Sequence, residues 1–199
     1  MIGILLAAGA SRRLGRPKQT LPFGDTSLLG WTLRHVEASS LDRVVLVLGA
    51  AADEITAGLA VGRAEVVHND AHETGSASSL QAGLDAAGDD ADAVMILLGD
   101  MPGVDAAAID EVRRSWEQDQ PWAAMTSYRD ARGHPLVLSA AAFPALRELR
   151  GDGAVWKLLA SHPDAVAAIP VDRDLPPDID TWTDYQAALP DPYSRVRTL

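Results

Sequence analysis

A short stretch near the start of the chain concentrates residues that bind anions. The sequence LLAAGASRRLGRPKQTLPFGD occupies positions 5–25, directly behind an apolar run that is typical of a buried strand. A glycine-rich turn between a strand and a helix offers backbone N–H groups to an anion, and guanidinium and ammonium groups neutralise polyphosphates. The residues that carry this pattern are Gly9, Arg12, Arg13, Gly15, Arg16 and Lys18.

The charge of this loop contrasts with that of the rest of the chain. The 199 residues have a formal net charge of −11, yet four of the 17 Lys and Arg residues fall within positions 12–18. An acidic surface repels nucleic acid and anionic membranes, so we expect neither as a partner. A local cationic cluster on such a surface favours a small anionic ligand over the alternative, an ordinary connection with solvated arginines.

The loop fits neither of two standard phosphate-binding motifs. A dinucleotide-binding loop needs G-x-G-x-x-G, whereas Gly9 and Gly15 have five residues and no glycine between them. A Walker A loop needs Lys followed by Ser or Thr after its second glycine, whereas Gly15 is followed by Arg-Pro-Lys-Gln. The sequence therefore predicts a different kind of phosphate-binding loop.

Acidic residues near two predicted loops are candidate metal ligands. Asp100 comes directly after a buried apolar run, and Asp178 and Asp180 lie two residues apart in a segment predicted to be extended, so their side chains point to one side. Because the chain has no cysteine, a metal site would use oxygen or imidazole ligands. Two alternatives stay open: Asp100 as a turn or cap residue, and Asp180-Thr181 as the start of a helix.

The elements that would position these residues alternate along the chain. Apolar runs without polar alternation predict strands buried on both faces, at residues 2–7, 43–48, 64–67, 94–98, 123–127 and 165–170. Helical spacing and capping residues predict helices at 27–39, 53–59, 78–87 and 105–118. This pattern predicts a single-domain, doubly wound α/β fold with a mostly parallel sheet and helices on both faces. We expect the domain to span 1–189 and residues 190–199 to form a tail.

The chain shows no sign of a membrane or secretory segment. No apolar run approaches the length of a membrane span, and the apolar N-terminus lacks a preceding basic region. We therefore expect a cytoplasmic protein.

Two further motifs could contact a ligand. Gly75, Ser76, Ser78 and Ser79 precede or open a predicted helix, where N–H groups and hydroxyls can bind an anion or a ribose, although serine-rich helix starts are also common caps. The segment RDARGHPLVL brings Arg132 and His134 close together, and a histidine can polarise a substrate group or orient a loop.

Taken together, these segments resemble the MobA-like nucleotidyltransferases. The opening loop is similar to the family signature L-A-A-G-x-S-x-R-x-G-x-P-K-x-L-L-P, and the similarity is strongest to the branch that contains the molybdenum cofactor cytidylyltransferase. The resemblance implies a Rossmann-like nucleotidyltransferase fold and a nucleotide site. In that site, Arg13 and Lys18 would bind the triphosphate. The residues that would border the base are Leu6, Ala7, Ala8 and Gly9.

The later motifs extend this resemblance from about residue 2 to residue 185. Asp100 matches the metal-binding aspartate of L-x-x-D-x-P, and the D-I-D-T segment implies that Asp178 and Asp180 complete the metal site. The G-x-S-S-S-L element implies nucleotide contacts for Gly75, Ser76 and Ser79, and R-G-x-P-V-L places Arg132 and His134 on the acceptor side. Asparagines are common at the Asp178 and Asp180 positions in GMP-transferring relatives, so aspartates favour the cytidylyl branch.

One motif departs from the family pattern. The family has G-D-x-G-A-R, whereas this chain has Gly-Asp-Gly-Ala-Val at 151–155, and the next basic residue is Lys157. Either the acceptor differs, or Lys157 replaces the missing arginine in acceptor binding.

The resemblance implies transfer of CMP from CTP to the phosphate of molybdenum-bound molybdopterin, with release of pyrophosphate. Mg²⁺ is the expected cofactor, with Mn²⁺ as the alternative, and a molybdenum hydroxylase or its chaperone is the expected protein partner. Three other functions stay open: use of GTP or another phosphorylated acceptor, reduction of a nicotine-pathway quinone with NAD(P)H on the same fold, and nucleotide-dependent delivery of a cofactor without turnover.

Overall fold

The computed structural model describes residues 1–189 and contains one large sheet flanked by helices on both faces. The predicted tail at 190–199 lies outside the described residues. The strands are β1 Ile2–Leu6, β2 Pro22–Phe23, β3 Thr26–Ser27, β4 Arg43–Leu48, β5 Glu65–His68, β6 Ala93–Leu98, β7 Ala123–Ser127, β8 Arg132–Ser139 and β9 Val166–Pro170. The α-helices are α1 Leu28–Ala38, α2 Ala52–Gly58, α3 Ser76–Ala87, α4 Ala106–Asp119, α5 Phe143–Arg147, α6 Ala154–Ser161 and α7 Trp182–Ala188.

Within residues 1–189, seven strands pair in the order β5-β4-β1-β6-β8-β7-β9. All neighbouring pairs are parallel except those of β8, which runs antiparallel to both β6 and β7. The fold predicted from the alternating pattern, a mostly parallel α/β sheet with helices on both faces, is confirmed. None of the helices described in 1–189 is long and apolar enough to span a membrane.

Strand β8 was not predicted as part of the sheet. Its first half contains Gly133 and Pro135, which are uncommon inside strands. The pairing between β7 and β8 shifts between Met125 and Thr126, and Pro135 lies opposite this irregularity. The irregularity removes the need for a regular ladder bond at Pro135, and Leu136–Leu138 then continue as a fully buried strand.

The predicted boundaries of α1 and α4 are accurate, because the residue directly before each helix caps it. Ser27 caps α1 by accepting a hydrogen bond from Gly30 N, and Asp105 caps α4 by accepting from Ala108 N. The predicted start of α3 at residue 78 is wrong, since the helix begins at Ser76 with Gly75 at the N-cap position.

The sheet is buried between two apolar layers. One layer packs α1 and α4 on the sheet and includes Leu33 and Ile109, and the other packs α3 and α5 and includes Leu84 and Phe143. Burying both sheet faces explains the unbroken apolar runs of β1, β4 and β6.

The register of the central strands determines where the functional loops begin. Leu6 at the end of β1 is level with Val47 of β4 and Leu98 of β6. Ala7 N donates to Val47 O at 2.9 Å, and Gly99 N donates to Leu6 O at 2.9 Å. The loops after β1 and β6 therefore leave the sheet side by side, at the carboxyl edge where α/β proteins bind ligands.

Candidate active site

The loop after β1 forms one wall of an open cavity of about 440 Å³ at this edge of the sheet. Positive side chains come from the loop, whereas acidic side chains come from three other segments. The lining residues are Ala8, Gly9, Ala10, Ser11, Arg12, Arg13, Lys18, His72, Glu73, Gly75, Asp152 and Asp180. A smaller cavity of about 80 Å³ lies behind the loop, and Leu6 and Ala7 belong to its lining.

Lys18 joins the opening loop to two distant parts of the chain. Its ammonium donates to Asp100 Oδ2 at 2.6 Å and to Asp180 Oδ1 at 2.9 Å. It also donates to the carbonyl oxygen of Ile179 at 2.9 Å. Only 12% of the Lys18 side chain is exposed, so these charge-assisted hydrogen bonds hold it in one place.

The electrostatics of this cluster reflect burial and opposite charge. Burial alone would lower the pKa of Lys18, but the charges and hydrogen bonds of Asp100 and Asp180 outweigh it and raise the pKa. Burial raises the pKa of Asp100, and Lys18 opposes that shift. The hydrogen bond from Lys18 lowers the pKa of Asp180, because it stabilises the carboxylate form.

The segment before α7 brings Asp180 into the site. Ile179 is fully buried, and its N–H donates to the carbonyl oxygen of Asp100 at 3.0 Å. Thr181 is the N-cap of α7 and forms a capping box with Asp184. The alternative that Asp180-Thr181 start a helix is therefore confirmed, with Thr181 as the capping residue. The carboxylate of Asp180 takes no part in this cap and binds Lys18 and, at 2.7 Å, Arg13 Nη2.

The oxygens around Lys18 form a donor set of the kind that a divalent metal ion uses. Two carboxylate oxygens and one carbonyl oxygen converge on the ammonium, and Mg²⁺ and Mn²⁺ bind such hard oxygen ligands, often together with substrate phosphates. Asp178 is exposed and acts on Asp100 through its charge. Within 1–189, no three or more His, Asp or Glu side chains are grouped as metal ligands. The assignment of Asp100, Asp178 and Asp180 as metal ligands therefore stays a prediction.

The start of α3 lies across the cavity from the basic loop. Gly75 lines the cavity at a φ of +114°, and a Cβ there would lie 2.5 Å from the carbonyl carbon of Gly151. Ser76 N donates to Asp152 Oδ1 at 2.7 Å, so a carboxylate already occupies this helix N-terminus. Ser79 is buried, and its hydroxyl accepts a hydrogen bond from Asn69.

The residues predicted to bind the acceptor lie outside the lining of the 440 Å³ cavity. Arg132 and Lys157 are exposed. His134 is half-buried, and its ring packs edge-on against Trp156 with ring centroids 5.5 Å apart. Since Trp156 is adjacent to Lys157 on α6, the structure brings His134 and α6 together while leaving Arg132 and Lys157 in solvent.

Several site residues were missed in the sequence. His72 and Glu73 line the cavity from a 3₁₀ turn just before Gly75, and a charged pair beside that glycine was the available signal. Asp152 was identified only as part of a motif, with no role. Gln19, directly after Lys18, is almost fully buried and donates a hydrogen bond to the opening loop. A glutamine between Lys and Thr gives no sign in the sequence that its side chain is buried.

The fold and this site define the class of protein. The chain matches the family model described as the MobA-like NTP transferase domain over residues 3–166. It therefore belongs to the MobA-like family of nucleotidyltransferases. The predicted resemblance to this family is confirmed.

Two relatives with curated functions show how the family diverges. Nicotine blue oxidoreductase of Paenarthrobacter nicotinovorans is 32% identical over 187 residues, which are 90% of this chain and 91% of that protein. The molybdenum cofactor cytidylyltransferase of Escherichia coli (strain K12) is 26% identical over 137 residues, 68% of each chain.

Solved structures of mycobacterial proteins share the fold and much of the sequence. A homologue of Mycobacterium tuberculosis rv0371c from Mycobacterium sp. strain JC1 has a TM-score of 0.86 and 39% identity, covering 94% of this chain and 93% of that one. Rv0371c in complex with manganese has a TM-score of 0.84 and 34% identity, covering 94% of this chain and 97% of that one. A relative with a similar fold thus binds a divalent metal ion.

Proposed function

We propose that this protein transfers CMP from CTP to the phosphate of a molybdopterin-type acceptor, molybdenum-bound molybdopterin, and releases pyrophosphate. The observation that carries the proposal is the contact of Lys18 with Asp100 and Asp180 beside a basic loop and an open cavity. Such a site suits a triphosphate and its counter-ion. The choice of CTP rests on the two aspartates at 178 and 180 and on the similarity to a cytidylyltransferase.

The reaction needs positioning and charge neutralisation more than covalent help from the protein. An oxygen of the acceptor phosphate forms a bond to the α-phosphorus of CTP. The bond from that phosphorus to the oxygen bridging to the β-phosphate breaks, and pyrophosphate leaves with the bonding electrons. Because a phosphate is already ionised at neutral pH, the nucleophile needs no general base.

The chain's own residues have distinct parts in this proposal. Arg13 and Lys18 bind the triphosphate and neutralise the charge that develops on pyrophosphate. Arg13 is suited to this because its side chain is 67% exposed and lines the cavity. On the opposite wall, Glu73 and Asp152 can accept hydrogen bonds from ribose hydroxyls or a base amino group.

Asp100, together with Asp178 or Asp180, would hold a divalent metal ion, Mg²⁺ in the first instance and Mn²⁺ as an alternative. When bound, the ion would supply positive charge to the phosphates. The Mn²⁺ complex of Rv0371c supports the proposal that the present protein also binds a divalent ion. In this proposal the product passes in the cytoplasm to a molybdenum hydroxylase or its chaperone.

A second candidate function is reduction of a quinone with NAD(P)H. It is favoured by the 32% identity to nicotine blue oxidoreductase over 90% of the chain. The basic loop could bind the pyrophosphate of a nicotinamide cofactor, although it lacks the G-x-G-x-x-G motif.

A nucleotide panel, with a parallel assay of NAD(P)H consumption in the presence of a quinone, tests both candidates. The protein is incubated with CTP, GTP, ATP or UTP, Mg²⁺ and molybdenum-bound molybdopterin, and released pyrophosphate is measured. We expect release with CTP and a loss of at least about 100-fold in Lys18→Ala, because one buried group neutralising transition-state charge contributes roughly that much. Arg34→Ala, which removes a surface arginine paired with Asp25, is the matched control and should keep full activity.

The other outcomes point to other functions. Pyrophosphate release with GTP alone would show that the protein transfers GMP instead of CMP. Pyrophosphate release with only another phosphorylated acceptor would show that molybdopterin is not the acceptor. Consumption of NAD(P)H with a quinone, and no pyrophosphate release with any nucleotide, would establish the reductase. Tight nucleotide binding without turnover would indicate a delivery protein.

A further inference from the structure

Gln19 is a buried polar side chain directly beneath the basic loop. It is 3% exposed, and its side-chain amide lies against the loop backbone. Nε2 donates to the carbonyl oxygens of Ala7 at 2.8 Å and of Gly9 at 3.0 Å. Oε1 accepts from Ser11 Oγ at 3.4 Å. One side chain thus contacts the loop at three points within five residues.

These bonds determine which way the loop's amides point. In a trans peptide the C=O of one residue and the N–H of the next point in opposite directions. Since the carbonyls of Ala7 and Gly9 face Gln19, the N–H groups of Ala8 and Ala10 face away from it, toward the cavity that both residues line. Within residues 1–189, neither amide donates to a protein acceptor.

Ser11 connects the same network to Lys18. Its φ of +51° lies in the left-handed region, which is unfavourable for a residue other than glycine. Ser11 Oγ accepts a hydrogen bond from Lys18 N at 3.0 Å while donating to Gln19 Oε1. The strained turn is thereby tied to both residues of the Lys-Gln pair, a pattern typical of a site that must be preorganised.

We propose that Gln19 is a positioning residue for phosphate binding. Its amide holds the Ala7 and Gly9 carbonyls on the inner side of the loop, so that Ala8 N–H and Ala10 N–H donate to phosphate oxygens of the bound triphosphate. The inference rests on the proposed function, because the ligand is a nucleoside triphosphate. To the basic residues already assigned, it adds two backbone donors and the side chain that orients these donors.

Gln19→Glu tests this role with little change of shape. A carboxylate cannot donate to the two carbonyl oxygens and repels them, so the loop peptides lose the group that orients them. The dissociation constants of CTP and of inorganic tripolyphosphate are measured by calorimetry. We expect both to rise at least about tenfold, since tripolyphosphate has only phosphate oxygens to offer and each charge-assisted hydrogen bond contributes roughly that much.

Gln81 provides a matched control. Its Nε2 also donates to backbone carbonyls, those of Leu146, Arg147 and Leu149 at 3.3, 2.8 and 2.9 Å, at and just after the end of α5. Gln81→Glu makes the same chemical change and should lower the melting temperature while leaving both dissociation constants unchanged. A Gln19→Glu protein with a lower melting temperature and normal affinity for both ligands would reduce Gln19 to a structural residue.

Two further measurements keep the test decisive. If Gln19→Glu does not fold, Gln19→Met removes the donor without adding charge, and the same rise is expected. In the wild-type protein labelled with ¹⁵N-alanine, the Ala8 and Ala10 amide resonances should shift on addition of tripolyphosphate, and unchanged resonances would overturn the assignment. If tripolyphosphate binds as expected but no nucleotide releases pyrophosphate, the phosphate role of Gln19 stands and the proposed transfer reaction fails.

Discussion

The two sides of the candidate site differ in how firmly their charged groups are held. On the proposed triphosphate side, Lys18 has three oxygen partners from two distant segments, and its side chain is largely buried. On the proposed acceptor side, Arg132 and Lys157 are exposed. The first arrangement is built before any ligand arrives, whereas the second can adapt to its ligand. We therefore expect the phosphate chemistry to be common to similar proteins and the acceptor to vary.

The largest expected effect on activity comes from neutralising a carboxylate that contacts Lys18. Asp100→Asn removes a charge that contacts Lys18 and would hold the metal ion, so kcat should fall at least about 100-fold. The fold should stay intact because Asp180 still contacts the Lys18 ammonium, and the melting temperature should fall because this buried charge loses one of its two carboxylate partners. Pyrophosphate release and a thermal melt measure the two quantities.

The neighbouring aspartates sharpen this result. Asp180→Asn should resemble Asp100→Asn, since both carboxylates contact Lys18. Asp178→Asn should have a much smaller effect, because Asp178 is exposed. An Asp178→Asn protein as inactive as the other two would show that the metal ion uses all three carboxylates.

On the acceptor side we expect smaller and more selective effects. Lys157→Ala and Arg132→Ala remove exposed cations that can contact an anionic acceptor, so the KM for the acceptor should rise about three- to tenfold, as expected for one solvent-exposed charge contact. The KM for the nucleotide and kcat should stay close to those of the wild-type protein. Steady-state kinetics with each substrate varied in turn provide the measurement, and a larger change in nucleotide KM would contradict the division into two sides.

A last expected effect concerns stability rather than kinetics and comes from His134. Burial lowers the pKa of His134 to about 4, below the ordinary value of 6.5. Between these values the unfolded chain binds more protons, so this group's contribution to stability is present above about pH 6.5 and is lost as the pH falls toward about 4. The free energy of unfolding of the wild-type protein should drop on the order of 2 kcal/mol more between about pH 7 and about pH 4.5 than that of His134→Gln. Urea titrations at each pH measure this, and parallel curves would show that His134 does not titrate in this way.

The sequence predicts the parallel part of the sheet well because burial on both faces leaves a local signal. β1, β4 and β6 are continuous apolar runs, and each was expected close to its observed bounds. Strand β8 lacks that signal in its first half, since Gly133 and Pro135 suit an irregular pairing that only the partner strand reveals. Local pattern therefore predicts the elements but not the antiparallel insertion.

The candidate site follows the same division between local and distant information. The basic loop is contiguous, so its charge and glycines are visible as one motif. The contacts of Lys18 with Asp100 and Asp180 span 82 and 162 residues, and only the motif resemblance suggested that these residues meet. Gln19 and Asp152 were not assigned roles, because each acts on the backbone of another segment and no side-chain pattern records such a bond.

The fully buried Ile179 has a consequence for how the site is assembled. It lies between Asp178 and Asp180 in the sequence, its N–H donates to the carbonyl oxygen of Asp100, and its own carbonyl oxygen accepts from Lys18. Burial of one apolar side chain thereby anchors the backbone that carries Asp180. A truncation just before Ile179 would leave strands β1–β9 in the chain while removing one of the two acidic partners of Lys18.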